Sequence, residues 1–191
     1  MSFKTITARE LPLTLPEMRA HLKLDDPDQV NPLDALIKAR AGAACDFAQH
    51  YADRAIGLQM VEAAFPCFPL LALGLPLSPV KVVSSVKYTD DGGTVQTCAS
   101  GSYDVNDYGR KHSLVPAYGT TWPTARDAWD AVKVRYTCGY EAADLPDAVR
   151  SALLLILGHL HRNNQAVSAL RLDEVPMGAV DLLDTVKLWS F

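Results

Sequence analysis

Leu145–Asn164 reads LPDAVRSALLLILGHLHRNN and is the most apolar run of the chain. Val149, Ala152, Leu153, Ile156 and Leu160 recur at helical spacing and make one apolar stripe. Leu154, Leu155 and Leu157 place further apolar groups off that stripe. A helix that is apolar on more than one side needs cover on more than one side. Two kinds of cover are open: the chain's own domain all round, or a neighbouring subunit against the excess side. Asp144 is the expected N-cap; the start can equally lie at Leu145–Pro146, because a residue before proline avoids the α region. Asp147 suits the positive end of the helix and Arg162 the negative end, with Asn163-Asn164 as the stop. The unbroken apolar run Ala152–Leu157 is far shorter than the roughly 20 residues a bilayer span requires.

The segments before this helix supply candidates to pack on it. Thr14-Leu15-Pro16-Glu17 fits a capping box, followed by a short helix over Leu15–Leu22. Asp25-Asp26-Pro27-Asp28 breaks it. Asn31 is the expected cap of a second helix, with Pro32 in its first position and Asp34 on its dipole. Leu33, Leu36, Ile37, Ala41, Ala44, Phe47, Ala48 and Tyr51 keep helical spacing. The small residues Ala39, Ala41, Gly42, Ala43 and Ala44 permit close approach of another element. Gly57 marks the exit.

The middle third reads as β. Leu58–Phe65 resembles a strand, and Phe68–Leu75, set among prolines, is an edge strand or a loop. Val80–Thr89, the turn Asp90-Asp91-Gly92-Gly93 and Thr94–Cys98 make a hairpin. Tyr103–Val105 and Ser113–Pro116 are shorter strands. Trp122-Pro123 and Arg126-Asp127 lie in a loop. Ala131–Tyr136 alternates strongly and is a strand, and Gly139-Tyr140 turns the chain into the long helix. After that helix, Gln165–Val175 reads as a loop, and Val180–Val186 as one or two helical turns carrying Leu182 and Leu183. Trp189 and Phe191 stand at the terminus, where aromatic side chains either tuck in or dock on a partner. Residues 175–191 are accordingly expected to serve assembly and to be dispensable for folding.

The chain has 191 residues, 49% hydrophobic and 21% charged, with a net charge of −4. That is an ordinary globular composition, sized for one domain with an appendage. The acidic balance argues against broad binding of nucleic acid or anionic membranes. No apolar leader is visible near the N-terminus. Cys45, Cys67, Cys98 and Cys138 are widely spaced and expected to be buried free thiols.

Catalytic signatures are sparse. His159 and His161 fall roughly 200° apart on a helix, so one metal cannot easily take both. Asp90-Asp91-Gly92-Gly93 lacks the later ligands of an EF-hand, and so does Asp104-Val105-Asn106-Asp107. Nucleotide-binding and hydrolase-elbow motifs are missing from the sequence. No catalytic, cofactor-binding or metal-ligating residue is assigned. The one enzymatic alternative is a small metal-dependent enzyme using Asp104, Asp107 and His112.

Taken in order, the blocks LTLPEMRAHLKLDD, DALIKARAGAACDFAQHYADRAI, LPLSPVKVVSSVKYTDDGG, VPAYGTTWP, AVKVRYTCGY, LPDAVRSALLLILGHLHRNNQAV and VPMGAVDLLDTVKLW form a familiar series. The chain resembles the head–tail connector (adaptor, head-completion) proteins of long-tailed bacteriophages and prophages, in the branch whose helical domain carries a β-rich insertion. The departure from that pattern is Asp184-Thr185-Val186-Lys187, where related tails close with a Tyr-Arg-type finish. The resemblance implies an α+β fold: a small bundle of three or four helices with an inserted antiparallel β-rich subdomain. Its expected layout is N-terminal helices over residues 1–57, the insertion over 58–140, and the long helix and tail over 141–191, all one structural unit. It implies a non-enzymatic virion component, without cofactor, made in the bacterial host cytoplasm and placed in the virion neck. Its implied partners are other copies in a ring of commonly twelve, the portal protein, a stopper or tail-completion protein, and genomic DNA that passes through the lumen without specific binding; no membrane is involved. A tail-completion or stopper protein of the same neck is the nearest alternative. The candidate subunit or partner contacts are Leu154, Leu157, Leu182, Leu183, Trp189 and Phe191.

Overall fold

A computed structural model describes residues 2–24, 33–109, 111–163 and 177–188. The fold is α+β, with helices and two antiparallel sheets of five and three strands. The residues divide into two compact units, Met1–Glu10 with Leu58–Gly139 and Leu11–Gly57 with Tyr140–Phe191. The β-rich middle is thus an insertion between helices. Gly57 (φ 83°) and Gly139 (φ 106°) stand at two of the junctions, in backbone that a side chain would strain.

The helical unit is built on α3 (Asp147–Arg162), packed by α1 (Leu15–Leu22), α2 (Asp34–Ala52) and α4 (Met177–Asp184). The expected stripe is its core: Val149, Ala152, Leu153 and Ile156 are buried, and Leu157 with them. On α2, Ile37, Ala41, Ala44, Cys45, Ala48 and Ala52 form the buried stripe, each fully inaccessible. The alanines let two backbones lie close, as their size implied. Leu33 and Leu36, expected on this stripe, are 41% and 40% exposed instead. Leu36 precedes Ile37 by one residue, so a 100° step carries it off the buried face.

Helix ends follow local chemistry. Thr14 and Glu17 complete the capping box of α1, each side chain taking the other's backbone N–H at 3.4 Å. Glu17 also binds the Arg150 guanidinium at 2.9 Å, so one carboxylate caps α1 and ties it to α3. The Arg19 side chain forms a bidentate pair with Asp34 and links α1 to the first residue of α2. The N-cap of α3 is Pro146, at ψ 137°, rather than Asp144; the proline holds Leu145 out of the α region and its carbonyl accepts the first helical bond from Arg150. The expected caps Asn31 and Pro32 and the expected loop Gln165–Val175 lie outside the described residues, save that the helix after Asn31 is described from Asp34.

In the β unit the larger sheet runs β1 (Ser2–Thr7), β2 (Gln59–Phe65), β8 (Val132–Cys138), β4 (Val80–Thr89), β5 (Val95–Thr97). The smaller runs β3 (Leu73–Gly74), β7 (Ser113–Pro116), β6 (Tyr103–Asn106). Strand β2 alternates buried and half-buried residues and β8 alternates buried with exposed or half-buried ones, and they pair in register from Gln59↔Cys138 to Phe65↔Val132. Tyr136 is fully buried; its hydroxyl donates to the Pro76 carbonyl at 2.5 Å, which satisfies the one polar atom that burial would orphan. Strand β1 is the unexpected element. Residues 2–7 carry no turn signal and a short SFKTIT alternation, and they pair with β2 as an exposed edge.

The helical tail also differs from expectation. Ala179 and Leu183 of α4 are fully buried in the core around α3, Leu188 is 5% exposed, and the Leu188 N–H donates to the Ala52 carbonyl at 2.9 Å. Deleting residues 175–191 removes α4 and Leu188 and would therefore uncover α3, so residues 177–188 are part of the fold. We expect that truncation to give loss of cooperative unfolding in circular dichroism, and Leu153→Ala to cost about 2–5 kcal/mol in urea denaturation.

Candidate functional site

The sequence-derived contact residues separate by burial. Leu157 and Leu183 are fully buried within the helical unit's own core. Leu154 and Leu182 pack on that core and remain half-exposed. Leu155, beside them on α3, is 38% exposed. Trp189 and Phe191 lie outside the described residues. At the end of α4, Asp184 accepts from the Tyr51 hydroxyl at 2.7 Å and the Lys187 ammonium sits 4.0 Å above the Tyr51 ring. The Asp184-Thr185-Val186-Lys187 departure is thus used to dock α4 on α2.

The residues of the enzymatic alternative have other partners. His112 accepts the Val80 N–H at its Nδ1 (3.1 Å), and its backbone N–H donates to Ser78 Oγ (2.9 Å), so it joins β7 to β4. Asp104 lies on exposed β6 and Asp107 follows it. His161 Nδ1 pairs with Arg40 at 2.9 Å, and His159 pairs with Asn163 one turn on. Among the described residues, no three His, Cys, Asp or Glu side chains are grouped to hold a metal. Cys45 and Cys138 are buried free thiols as expected; Cys67 is exposed and Cys98 half-exposed. Burial pushes the Cys138 thiol up to about 12, which keeps it protonated and unreactive at neutral pH.

The β unit carries the larger exposed features. A cleft of about 750 Å³ opens among the Phe68–Leu71 and Pro116–Ala125 loops, and no charged residue lines it. Phe68 stacks on Trp122 (centroids 4.7 Å apart) and meets Tyr88 edge-on at 5.9 Å. The Trp122 Nε1 is buried without a hydrogen-bond partner. Leu70, Leu71 and Tyr118 stand at the rim 94%, 76% and fully exposed. Elsewhere on the unit, Trp129 is 74% exposed above a hollow of about 200 Å³ that also touches Lys4, Glu62, Ala64 and Lys133. In that ladder Glu62 binds Lys4 at 2.8 Å and Arg135 at 2.7 Å. These loops read in sequence as punctuation between strands. Their clustering of Pro with Phe, Leu, Tyr and Trp was the available signal.

With this geometry in hand, the fold finds likenesses in large particles. The chain is similar over its whole length, and over 97% of theirs, to chains of three solved structures. One is the virion of a native gene transfer agent (GTA) particle, at 20% identity and TM-score 0.79. Another is the neck of an empty GTA particle computed with C6 symmetry, at 19% and 0.82. The third is the neck of a native GTA particle computed with C12 symmetry, at 20% and 0.77. No protein-family model matches the sequence, and no curated protein does. At this identity the likeness is one of fold.

Two measurements probe the charged contacts. Hydrogen bonding from Lys4, reinforced by Arg135 against the opposing effect of burial, holds the Glu62 carboxyl below the usual glutamate range. A carboxyl held low adds stability at pH values above the ordinary glutamate range, near about 4.3. That contribution is lost as pH falls through the native value. Glu62→Gln should flatten this part of the acid-unfolding curve while leaving neutral-pH structure intact. Asp34→Ala removes the bidentate acceptor of the buried Arg19 and should cost about 1.5–3 kcal/mol in urea denaturation.

Proposed function

We propose that the protein is a structural subunit of the neck of a phage-like particle: a head–tail adaptor that closes into a ring beneath the portal, joins the DNA-filled head to the tail and lets DNA pass. The observation that carries this reading is the fold likeness to GTA neck chains, which covers the whole of this chain, helical unit and insertion alike, and 97% of theirs. The C6 and C12 symmetries belong to those particles and favour a cyclic assembly here, twelve copies being the number we adopt. The block order of the sequence points the same way independently. The role is non-enzymatic: His112, the one histidine of the metal-enzyme alternative, has its Nδ1 engaged by backbone. A net charge of −4 suits a conduit that must not grip phosphate. The ring's neighbours are the portal on one side and the stopper or tail-completion protein on the other, in a virion assembled in the bacterial host cytoplasm.

A closed ring of one chain needs two different surface patches that meet head to tail. Negative-stain imaging of the purified protein, alone and mixed with the portal protein of its own particle, should show rings of uniform diameter. A chain that stays monomeric in both preparations would overturn the adaptor reading.

A further inference from the structure

Two exposed apolar features of the β unit, Trp129 and the Phe68–Trp122 cleft, lie on opposite faces of the five-stranded sheet. The hollow beneath Trp129 touches Ser2, Lys4, Glu62, Ala64 and Lys133, together with Phe3 and Asp130. Of its strand residues all but Phe3 belong to the alternate set, the one that points away from buried Val61, Ala63, Phe65, Val132 and Val134. The cleft belongs to the other side. Its Phe68 packs on Tyr88, and Tyr88 pairs directly with Val132 of the buried set. One sheet therefore presents an aromatic knob on one face and an uncharged aromatic cleft on the other.

We propose that these are the two halves of the contact between adjacent copies: Trp129 of one copy inserts into the Phe68–Trp122 cleft of the next. This rests on the ring reading above and names the surfaces that would close it. The chemistry of the two halves agrees. Trp129 is 74% exposed and so free to be buried by a partner, and tryptophan is one of the residues enriched among the anchors of interface centres. The cleft is free of charge in a chain that is 21% charged, so it can receive an indole without desolvating an ion. Thr120 and Thr121 line it and supply hydroxyl oxygens for the incoming indole N–H. Leu70, Leu71 and Tyr118 at the rim then lose their exposure by closing around the anchor, which excludes water from it. Around Trp129 the Lys4 head is engaged by Glu62 and the Lys133 head by Asp130 at 2.9 Å, so the knob's surroundings bring little unpaired charge to the contact. Because knob and cleft lie on opposite faces, each copy can give one and receive the other, which is the head-to-tail geometry of a ring.

The test uses the full chain, concentrated alone and mixed with the portal. Trp129 is replaced by the photo-cross-linker p-benzoylphenylalanine, and equal amounts of isotopically light and heavy protein are mixed so that links between copies are recognised by mass. Links between copies from position 129 to residues 67–71 or 116–125 are expected. In sedimentation, Trp129→Ser and Thr121→Lys should each weaken self-association by roughly thirtyfold, the loss typical of an interface anchor. Mixed together, these two variants should form a one-to-one dimer and no ring, since only one knob and one cleft remain intact. Both substitutions are at exposed positions, and circular dichroism checks that the folds are unchanged. Rings with cross-links elsewhere, or rings unaffected by both variants, would overturn this contact and leave the adaptor reading standing. Absence of rings in every preparation would overturn both.

Discussion

The burial of α3 on several sides is the constraint on which the helical unit depends. A single amphipathic stripe would need one partner. Ala152, Leu153, Ile156 and Leu157, with Leu154 packed beside them, turn apolar surface through roughly 200° of the helix, and that surface costs about 25 cal/mol for each Å² left in water. The unit answers with a partner on each side. Helix α2 offers an alanine stripe that lets it lie close, α1 is pinned by Glu17 to Arg150, and α4 brings Ala179 and Leu183. The approach of α1 is tight as well: a Cβ on Gly158 would lie 3.2 Å from His21. Small residues therefore appear where helices must come close, and large ones where space must be filled.

The insertion obeys a different rule. Its strands β2 and β8 carry one buried face and one more open face, and the register follows from that alternation, because a slip of one residue would turn every buried side chain outward. Tyr136 adds a second lock, since its hydroxyl finds the Pro76 carbonyl in one register only. The outer face carries the Lys4–Glu62–Arg135 ladder, which keeps that surface polar without leaving the carboxylate unpaired.

Much of this was legible beforehand, for identifiable reasons. Helix α1 and strand β4 match their expected bounds to the residue, because a capping box and a Val-rich run ended by Asp-Asp-Gly-Gly are local signals. The hairpin, β7, β8 and the two glycine junctions were readable in the same way. What was not legible depends on distant partners. Strand β1 exists because β2 offers an edge, and nothing within residues 2–7 announces that edge. Leu157 and Leu183 read as surplus apolar groups free for a subunit contact. They are core because each helps cover the other's helix, a fact held by the pairing of α3 with α4 and invisible in either segment alone. The knob and cleft of the β unit were missed because Trp129, Phe68 and Trp122 sit in loops, where periodicity says nothing.

The same distinction governs how far a likeness at about 20% identity reaches. Core positions such as Ala41, Leu153 and Val134 are constrained by packing, and many apolar sequences satisfy that packing once volumes agree. A shared fold at low identity is therefore what packing alone allows. Assembly surfaces answer to a partner, and in a ring that partner is the same chain, so a knob and its cleft can change together while the fold stays fixed. Residues such as Trp129 and Leu70 contribute almost nothing to the folded unit's own core, being 74% and 94% exposed. Their apolar character is thus unexplained by folding, and it is at such positions that the physics of this chain separates what makes the fold from what the fold is for.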